Sequence, residues 1–186
     1  MIRRRALAAV DAGKIKGARY RQKDERGVYI SMVTDDTSDL DKMIEETQAS
    51  IIEDARETFS EEVVNRWLNP KNLGKIEDPD GVGRVTGPCG DTVEISLKVK
   101  DDRITKALFM TDGCGTTIAT GSMATDLATG KEIKEALKIS QDAILEALGG
   151  LPEDKHCALL ASNTLKEAIK DYLAYKKDPW KRSYGK

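Results

Sequence analysis

Three cysteines, the single histidine and one aspartate of this chain carry the side chains that could bind a metal or react with sulfur. Thiolate, imidazole and carboxylate form a mixed soft and hard ligand set, which suits zinc or an iron–sulfur cluster. An odd number of cysteines does not suit a disulfide framework, and thiols stay reduced in a cytosol. The candidate metal and sulfur ligands are Cys89, Asp91, Cys114, His156 and Cys157.

The sequence places each cysteine at the edge of a predicted element. Cys89 precedes a strand pattern, Cys114 lies between a strand and a helix, and Cys157 begins the last helix. The helix dipole and free backbone N–H groups stabilise a thiolate at a helix N-terminus. Glycines beside Cys89 and Cys114 let backbone N–H groups approach a metal centre. These positions favour ligating thiols over thiols packed in a core, the other common fate of a free cysteine.

Two segments with alternating apolar and polar residues predict the sheet. Residues 93–99 alternate with a period of two, which is typical of a strand with one buried face. Residues 104–110 follow a polar turn and form the partner strand, so the two segments predict a β-hairpin. Residues 69–90 are rich in glycine and proline, and we expect an exposed, mobile loop there.

Apolar residues at helical spacing predict most of the other elements. Ser60 and Ser140 are the predicted N-caps, and Gly130 and Gly149 are predicted helix ends. The predicted helical segments are 38–67 (divided at Ser60), 114–128, 133–137, 140–148 and 157–175. Since strands precede most helices, we predict an α+β fold, with a small antiparallel β-sheet, helices packed on one of its faces, and an N-terminal extension.

Charge separates the first third of the chain from the rest. Residues 1–26 contain nine Lys/Arg and three acids, whereas residues 35–62 contain eleven acids. Such blocks are typical of a solvated or self-associating extension, in which residues 28–33 could form a strand. We predict a charged extension at 1–50 that is partly helical or flexible, a folded domain at 51–176 and a polar tail at 177–186.

The overall composition argues against several partners. The net charge is −2, and the basic block has few interleaved aromatic residues, so we expect no nucleic acid as a partner. No apolar run approaches the roughly 20 residues of a membrane-spanning helix, and we expect no membrane partner. The Arg-rich start is soon followed by acids, which organellar transit peptides avoid, so we expect a cytoplasmic protein.

Four short motifs, in this order and spacing, resemble those of the IscU/NifU-type iron–sulfur scaffold family. The cysteines are separated by 25 and 43 residues, as in that family, and the resemblance extends from about residue 59 to 175. The motifs are Asn69-Pro-Lys-Asn-Leu-Gly74, Gly87-Pro-Cys-Gly-Asp91, Gly113-Cys-Gly115 and His156-Cys157.

The resemblance implies a scaffold without enzymatic turnover. It would receive iron, together with sulfide or sulfur from a cysteine desulfurase of the IscS/NifS type. It would build a [2Fe–2S] or a [4Fe–4S] cluster and pass it to apo-proteins, with a homo-oligomer as one form of the loaded protein. Cys89, Cys114 and Cys157 would be the cluster ligands, and Cys157 the acceptor of persulfide sulfur. Asp91 would bind incoming iron or keep the cluster labile, and His156 would be an alternative fourth ligand.

The chain departs from the family pattern at two places. IscU members carry Leu-Pro-Pro-Val-Lys, which a DnaK-like chaperone reads, whereas this chain has Leu151-Pro-Glu-Asp-Lys155. Residues 1–50 have no counterpart in the family core. The spacing of the second and third cysteines lacks the insertion of the zinc-dependent SufU branch.

Three other functions compete with the scaffold hypothesis. A zinc-binding sulfur acceptor of a desulfurase would use the same residues, and zinc could also occupy the cluster-free site of a scaffold. An electron carrier normally holds its cluster with four cysteines, and this chain has three. A thiol hydrolase built on Cys157 and His156 is disfavoured, because a catalytic cysteine and its histidine are usually distant in sequence.

Overall fold

The computed structural model describes residues 19–23, 29–33, 38–152 and 155–177. The chain divides into two compact units, Met1–Glu53 and Asp54–Lys186. In the first unit, β1 (Arg19–Lys23) and β2 (Tyr29–Val33) form an antiparallel two-stranded ribbon, so the apolar run of the extension is a strand. The remainder of residues 1–37 and, in the tail predicted at 177–186, residues 178–186 lie outside the described residues.

Helix α1 (Ser38–Thr58) and helix α2 (Glu61–Leu68) follow the ribbon. The division at Ser60 is confirmed, because its hydroxyl accepts a hydrogen bond from the backbone N–H of Val63 at 3.2 Å and caps α2. Helix α1 runs without a break past residue 50. The division into an extension at 1–50, a domain at 51–176 and a tail at 177–186 stays a prediction.

The second unit contains a three-stranded antiparallel sheet in the order β3 (Gly81–Thr86), β4 (Thr92–Lys100) and β5 (Arg103–Thr111). The β4–β5 hairpin is confirmed. Alternate residues of β4 form its buried face, as the period of two predicts. These residues are Val93, Ile95 and Leu97.

The predicted loop at 69–90 is wrong over residues 81–86, which form the edge strand β3. Gly81 and Gly83 look like turn residues, but they occupy a strand because another backbone lies against them. A Cβ on Gly83 would collide with the carbonyl oxygen of Thr164 and the backbone nitrogen of Ala168. Glycine in a strand often marks such a close approach. Sequence patterns alone do not distinguish this use of glycine from a turn.

The remaining helices are α3 (Gly115–Ala128), α4 (Ile133–Ala136), α5 (Gln141–Leu148) and α6 (Lys155–Lys177). Of these, α3 and α6 cover the buried face of the sheet. Helix α3 contacts β4 and β5, and helix α6 contacts β3 and β4, so the predicted α+β fold with helices on a small antiparallel sheet is confirmed. Ser140 caps its helix, and Gly149 ends it with φ +77°, as predicted.

Helix α3 is buried on almost every side, because small residues let it pack closely. The ring of Phe109 lies on Gly121, where a Cβ would stand 2.7 Å from a ring carbon. The threonine and serine hydroxyls of α3 bond backbone carbonyls or neighbouring polar groups, so burying them costs little. A helix held in this way fixes the position of the residues at its N-terminus.

Hydrogen bonds join the turn between β4 and β5 to the end of α6. These bonds should make the free energy of unfolding depend on pH. The Tyr172 hydroxyl donates to Asp102 at 3.0 Å, and Lys176 lies 2.6 Å from the same carboxylate. Hydrogen bonds from Lys176 and Tyr172 lower the pKa of Asp102. Burial, followed by the bond to Asp102, raises the pKa of Tyr172 to about 12.

We expect the free energy of unfolding to fall on both sides of neutral pH. On the alkaline side the unfolded tyrosine loses its proton from about pH 10, while the folded one keeps it to about 12. The contribution of Tyr172 is therefore complete below pH 10 and lost toward 12. That of Asp102 is present above its ordinary pKa and lost as the pH falls. Urea unfolding across this range should show that Tyr172→Phe removes the tyrosine's alkaline loss; an unchanged pH profile would contradict the prediction.

Candidate metal centre

Cys114 lies at the N-terminus of α3 as its N-cap residue. Its sulfur contacts the hydroxyl of Thr116 at 3.0 Å and that of Thr117 at 3.7 Å. Burial raises the pKa of the Cys114 thiol, but hydrogen bonds from the side chains and backbone of Thr116 and Thr117 outweigh it, so the pKa lies below its ordinary value. The prediction that this position favours thiolate agrees with the direction of that shift.

Cys157 lies in the first turn of α6, which begins at Lys155, two residues earlier than predicted. Its sulfur is 3.6 Å from the Thr116 hydroxyl and 3.5 Å from the Thr117 hydroxyl. The side chains of two threonines therefore bridge Cys114 and Cys157, which are 43 residues apart in the chain. Cys157 is buried, with 1% of its surface exposed, whereas Cys89 and Cys114 are exposed.

Asp91 reaches the same place from the loop that joins β3 to β4. A backbone hydrogen bond of 2.8 Å from Gly87 to the Asp91 carbonyl closes this loop beside the strand ends. The Asp91 carboxylate accepts a hydrogen bond of 2.7 Å from the Thr117 hydroxyl and a longer one of 3.4 Å from the backbone N–H of Cys114. Asp91, Cys114 and Cys157 are thus brought together around Thr117.

The other two predicted ligands lie next to this group. Cys89 is at the exposed tip of the β3–β4 loop, and its sulfur lies 3.7 Å from the position of a Cβ on Gly87. His156 precedes Cys157 in the first turn of α6 and is half-buried. The ring of Trp67 covers the start of α3, 2.5 Å from the position of a Cβ on Gly115.

Within the described part of the chain, no three His, Cys, Asp or Glu side chains already stand close enough to hold a metal ion. The donor set nevertheless fits zinc or iron, since it combines soft thiols with an imidazole and a hard carboxylate. Binding iron would require these side chains to close around it. The roles of Cys89, Asp91, Cys114, His156 and Cys157 stay predictions.

Thr116 and Thr117 are site residues that the sequence analysis did not identify. Both are buried, with 7% and 0% of their surfaces exposed. The signal available in the sequence is a pair of hydroxyl residues in the first helical turn after a Gly-Cys-Gly motif. That signal was weak, since threonine at this position also caps helices or packs in cores.

A family model described as the NifU-like N terminal domain matches residues 58–179. The chain belongs to this family. The match covers the sheet, its helices and all five candidate ligands. The predicted resemblance to IscU/NifU-type proteins is therefore confirmed.

Relatives of this NifU-like chain include proteins named as iron–sulfur cluster assembly scaffold protein IscU. The IscU 1 protein of Archaeoglobus fulgidus is 56% identical over 116 residues, which cover 61% of this chain and 76% of the relative. The IscU of Aquifex aeolicus is 45% identical over 119 residues, or 62% and 76% of the two chains. The IscU of Azotobacter vinelandii is 40% identical over 119 residues, or 61% and 93%.

Solved structures share the fold of this NifU-like chain. A NifU-like protein (N-terminal) from Brucella abortus superposes with a TM-score of 0.50 at 21% identity, covering 62% of this chain and 94% of that one. The SUF-system protein FiSufU from Fervidobacterium islandicum AW-1 has a TM-score of 0.53 at 23% identity, covering 61% and 97%. Among the described residues, no helix is long and apolar enough to cross a membrane.

Proposed function

We propose that this protein is a scaffold on which iron–sulfur clusters are assembled and from which they pass to apo-proteins. The observation that carries the proposal is the meeting of Asp91, Cys114 and Cys157 around two threonine hydroxyls, with Cys89 on the adjoining loop. The relatives named as IscU scaffolds support it. We propose a non-catalytic role, since a scaffold binds and releases its cargo without turnover of its own.

In this proposal iron and sulfur are the cargo, and the chain supplies the ligands. Cys89, Cys114 and Cys157 bind iron as thiolates, and Asp91 or His156 completes the coordination. Three thiolates with one exchangeable oxygen or nitrogen ligand hold a cluster less permanently than four thiolates. Weak retention suits a protein that must release what it binds. We propose a [2Fe–2S] cluster as the first product and a [4Fe–4S] cluster as the alternative.

Sulfur would come from a cysteine desulfurase of the IscS/NifS type, and Cys157 would be its acceptor. The receiving proteins would be apo forms of iron–sulfur proteins, and the loaded scaffold could form a homo-oligomer. We propose the cytoplasm as its location, because three cysteines that form no disulfide need a reducing compartment to stay as thiols.

The decisive experiment is anaerobic reconstitution with ferrous iron and sulfide, followed by visible absorption, Mössbauer spectroscopy and transfer to an apo-ferredoxin. We expect a cluster chromophore that forms on this protein and then moves to the ferredoxin. A cluster that forms but does not transfer would indicate an electron carrier instead. Tight zinc binding without any cluster would indicate a zinc-dependent sulfur acceptor that uses the same residues.

Asp91→Ala should make the loaded protein more persistent. The carboxylate contacts the backbone N–H of Cys114 and the Thr117 hydroxyl, which also contacts Cys157. An oxygen ligand exchanges from iron more readily than a thiolate. We expect the half-life of the cluster to lengthen when an apo-ferredoxin or a chelator competes for it. Asp112→Ala is the matched control, because Asp112 bonds the backbone of Thr92 at 2.7 Å rather than the threonines of the site. Equal release from Asp91→Ala and wild type would contradict this role.

A further inference from the structure

We propose that Thr117 is a positioning residue whose hydroxyl aims the Asp91 carboxylate at the metal site. The inference rests on the proposed function, because it assigns a residue to the iron-binding step of the same site. No motif of the sequence singles out Thr117, and its role follows from where its side chain lies. It is buried on the first turn of α3, with 0% of its surface exposed.

The Thr117 hydroxyl lies within reach of three of the five candidate ligands. Its oxygen is 2.7 Å from Asp91 Oδ2, 3.5 Å from Cys157 Sγ and 3.7 Å from Cys114 Sγ. Because α3 is a helix packed tightly against its neighbours, this oxygen is held on a rigid element rather than on a loop. Asp91, in contrast, lies on the loop between β3 and β4. The hydroxyl therefore holds the carboxylate of the loop residue at a fixed position.

The Thr117 hydroxyl has one proton, and it donates this proton in a hydrogen bond to the Asp91 carboxylate. A carboxylate oxygen is a better hydrogen-bond acceptor than a thiol sulfur. The distance of 2.7 Å to Oδ2 is also much shorter than either distance to sulfur. Oδ2 is thus occupied, whereas Oδ1 carries no hydrogen bond to another described residue. This arrangement leaves Oδ1 as the oxygen available to iron.

The backbone at Gly113 leaves the space that the carboxylate occupies. A Cβ on Gly113 would stand 2.5 Å from Asp91 Oδ2 and 2.8 Å from the Cβ of Thr117. Real Cβ atoms do not approach other atoms so closely, so a larger residue would push the carboxylate away from Thr117. Gly113 and Thr117 together form a cradle for Asp91: one provides the room and the other the hydrogen bond.

Outer groups that orient metal ligands typically change metal affinity about 10- to 100-fold when they are removed. We therefore expect Thr117→Val, which keeps the shape and loses the hydroxyl, to weaken binding of cobalt(II) alone to the metal-free protein about tenfold. Titration followed through the thiolate-to-cobalt absorption bands measures this affinity without any desulfurase, sulfide or acceptor. Thr117→Ser keeps the hydroxyl, and its affinity should stay near that of wild type.

A double-mutant cycle separates positioning from a general structural effect. If Thr117 acts through Asp91, Thr117→Val should cause almost no further loss in an Asp91→Ala background. Thr120→Val is the matched control, because Thr120 is equally buried on α3 but its hydroxyl donates to the backbone carbonyl of Thr117, at 3.1 Å, and to none of the five candidate ligands. Its cobalt affinity should match wild type. If circular dichroism shows that Thr117→Val is unfolded, Gly113→Ala takes its place in the cycle.

Three results would overturn the proposal: an unchanged cobalt affinity in folded Thr117→Val, an equal loss in the Asp91→Ala background, or failure of serine to restore binding. These results are distinct from failure of the proposed function. A wild-type protein that transfers no cluster but shows the expected cycle would refute the scaffold role and keep the role of Thr117. If wild type transfers its cluster but the cobalt affinities of the variants show no coupling between Thr117 and Asp91, the scaffold role is supported and the role of Thr117 is refuted.

Discussion

Cys157→Ser is expected to abolish persulfide formation when a cysteine desulfurase and free cysteine are supplied. In the proposed transfer, the Cys157 thiolate attacks the outer sulfur of the desulfurase persulfide. A new sulfur–sulfur bond forms on Cys157, the old one breaks, and the desulfurase cysteine leaves as a thiolate. A serine hydroxyl is not ionised near neutral pH and is a poor nucleophile toward sulfur, so it cannot take over this step.

The burial of Cys157 adds a condition to this expectation. Only 1% of its surface is exposed, so a desulfurase persulfide can reach it only after neighbouring groups move. Cys89 and Cys114 are exposed and are the competing acceptors. Intact-protein mass spectrometry should therefore compare all three single serine variants under the same conditions, counting added sulfur atoms.

We expect persulfide on wild type, Cys89→Ser and Cys114→Ser, and none on Cys157→Ser. If the adduct persists on Cys157→Ser and disappears from one of the other variants, that exposed cysteine is the acceptor. Circular dichroism should show whether Cys157→Ser is folded, so that loss of the adduct can be separated from loss of structure. This experiment identifies the cysteine that accepts the persulfide sulfur. Reconstitution of the same variants tests which cysteines bind the cluster.

Gly83→Ala is expected to destabilise the domain by about 3 kcal/mol, at the upper end of the usual cost of overpacking. In an ordinary strand alanine is favoured over glycine by about 0.5–1 kcal/mol. Here the added Cβ would collide with the backbone of α6 at Thr164 and Ala168, and backbone atoms cannot turn aside as a flexible side chain can. The collision therefore outweighs the conformational gain, and α6 has to move off β3.

Urea unfolding measures this change as a lower midpoint with a similar slope. Arg84→Ala is the control in the same strand, since Arg84 is exposed and its ion pair with Glu94 spans 3.7 Å. Surface ion pairs of this kind contribute about 0–1 kcal/mol, so this variant should stay close to wild type. A Gly83→Ala protein as stable as Arg84→Ala would show that β3 and α6 can separate at little cost.

Local sequence patterns predicted the elements that have one buried face and the helix ends that have a cap. The alternation at residues 93–99 predicted β4, and the caps at Ser60 and Ser140 and the stop at Gly149 predicted helix boundaries. Local patterns failed to predict β3, because its glycines allow close contact with α6 rather than form a turn. A local pattern records which face of an element avoids water. It does not record how near a distant helix approaches.

The family, the α+β class and the candidate ligands could be inferred without coordinates, because they depend on residue types and their order along the chain. The tertiary structure decided which of these residues meet. It joins Asp91 and Cys157 through the hydroxyl of Thr117, although 66 positions of the chain separate those two residues. It also buries Cys157 and leaves Cys89 exposed. Such contacts depend on the packing of α3 and α6 against the sheet, and no local spacing records that packing.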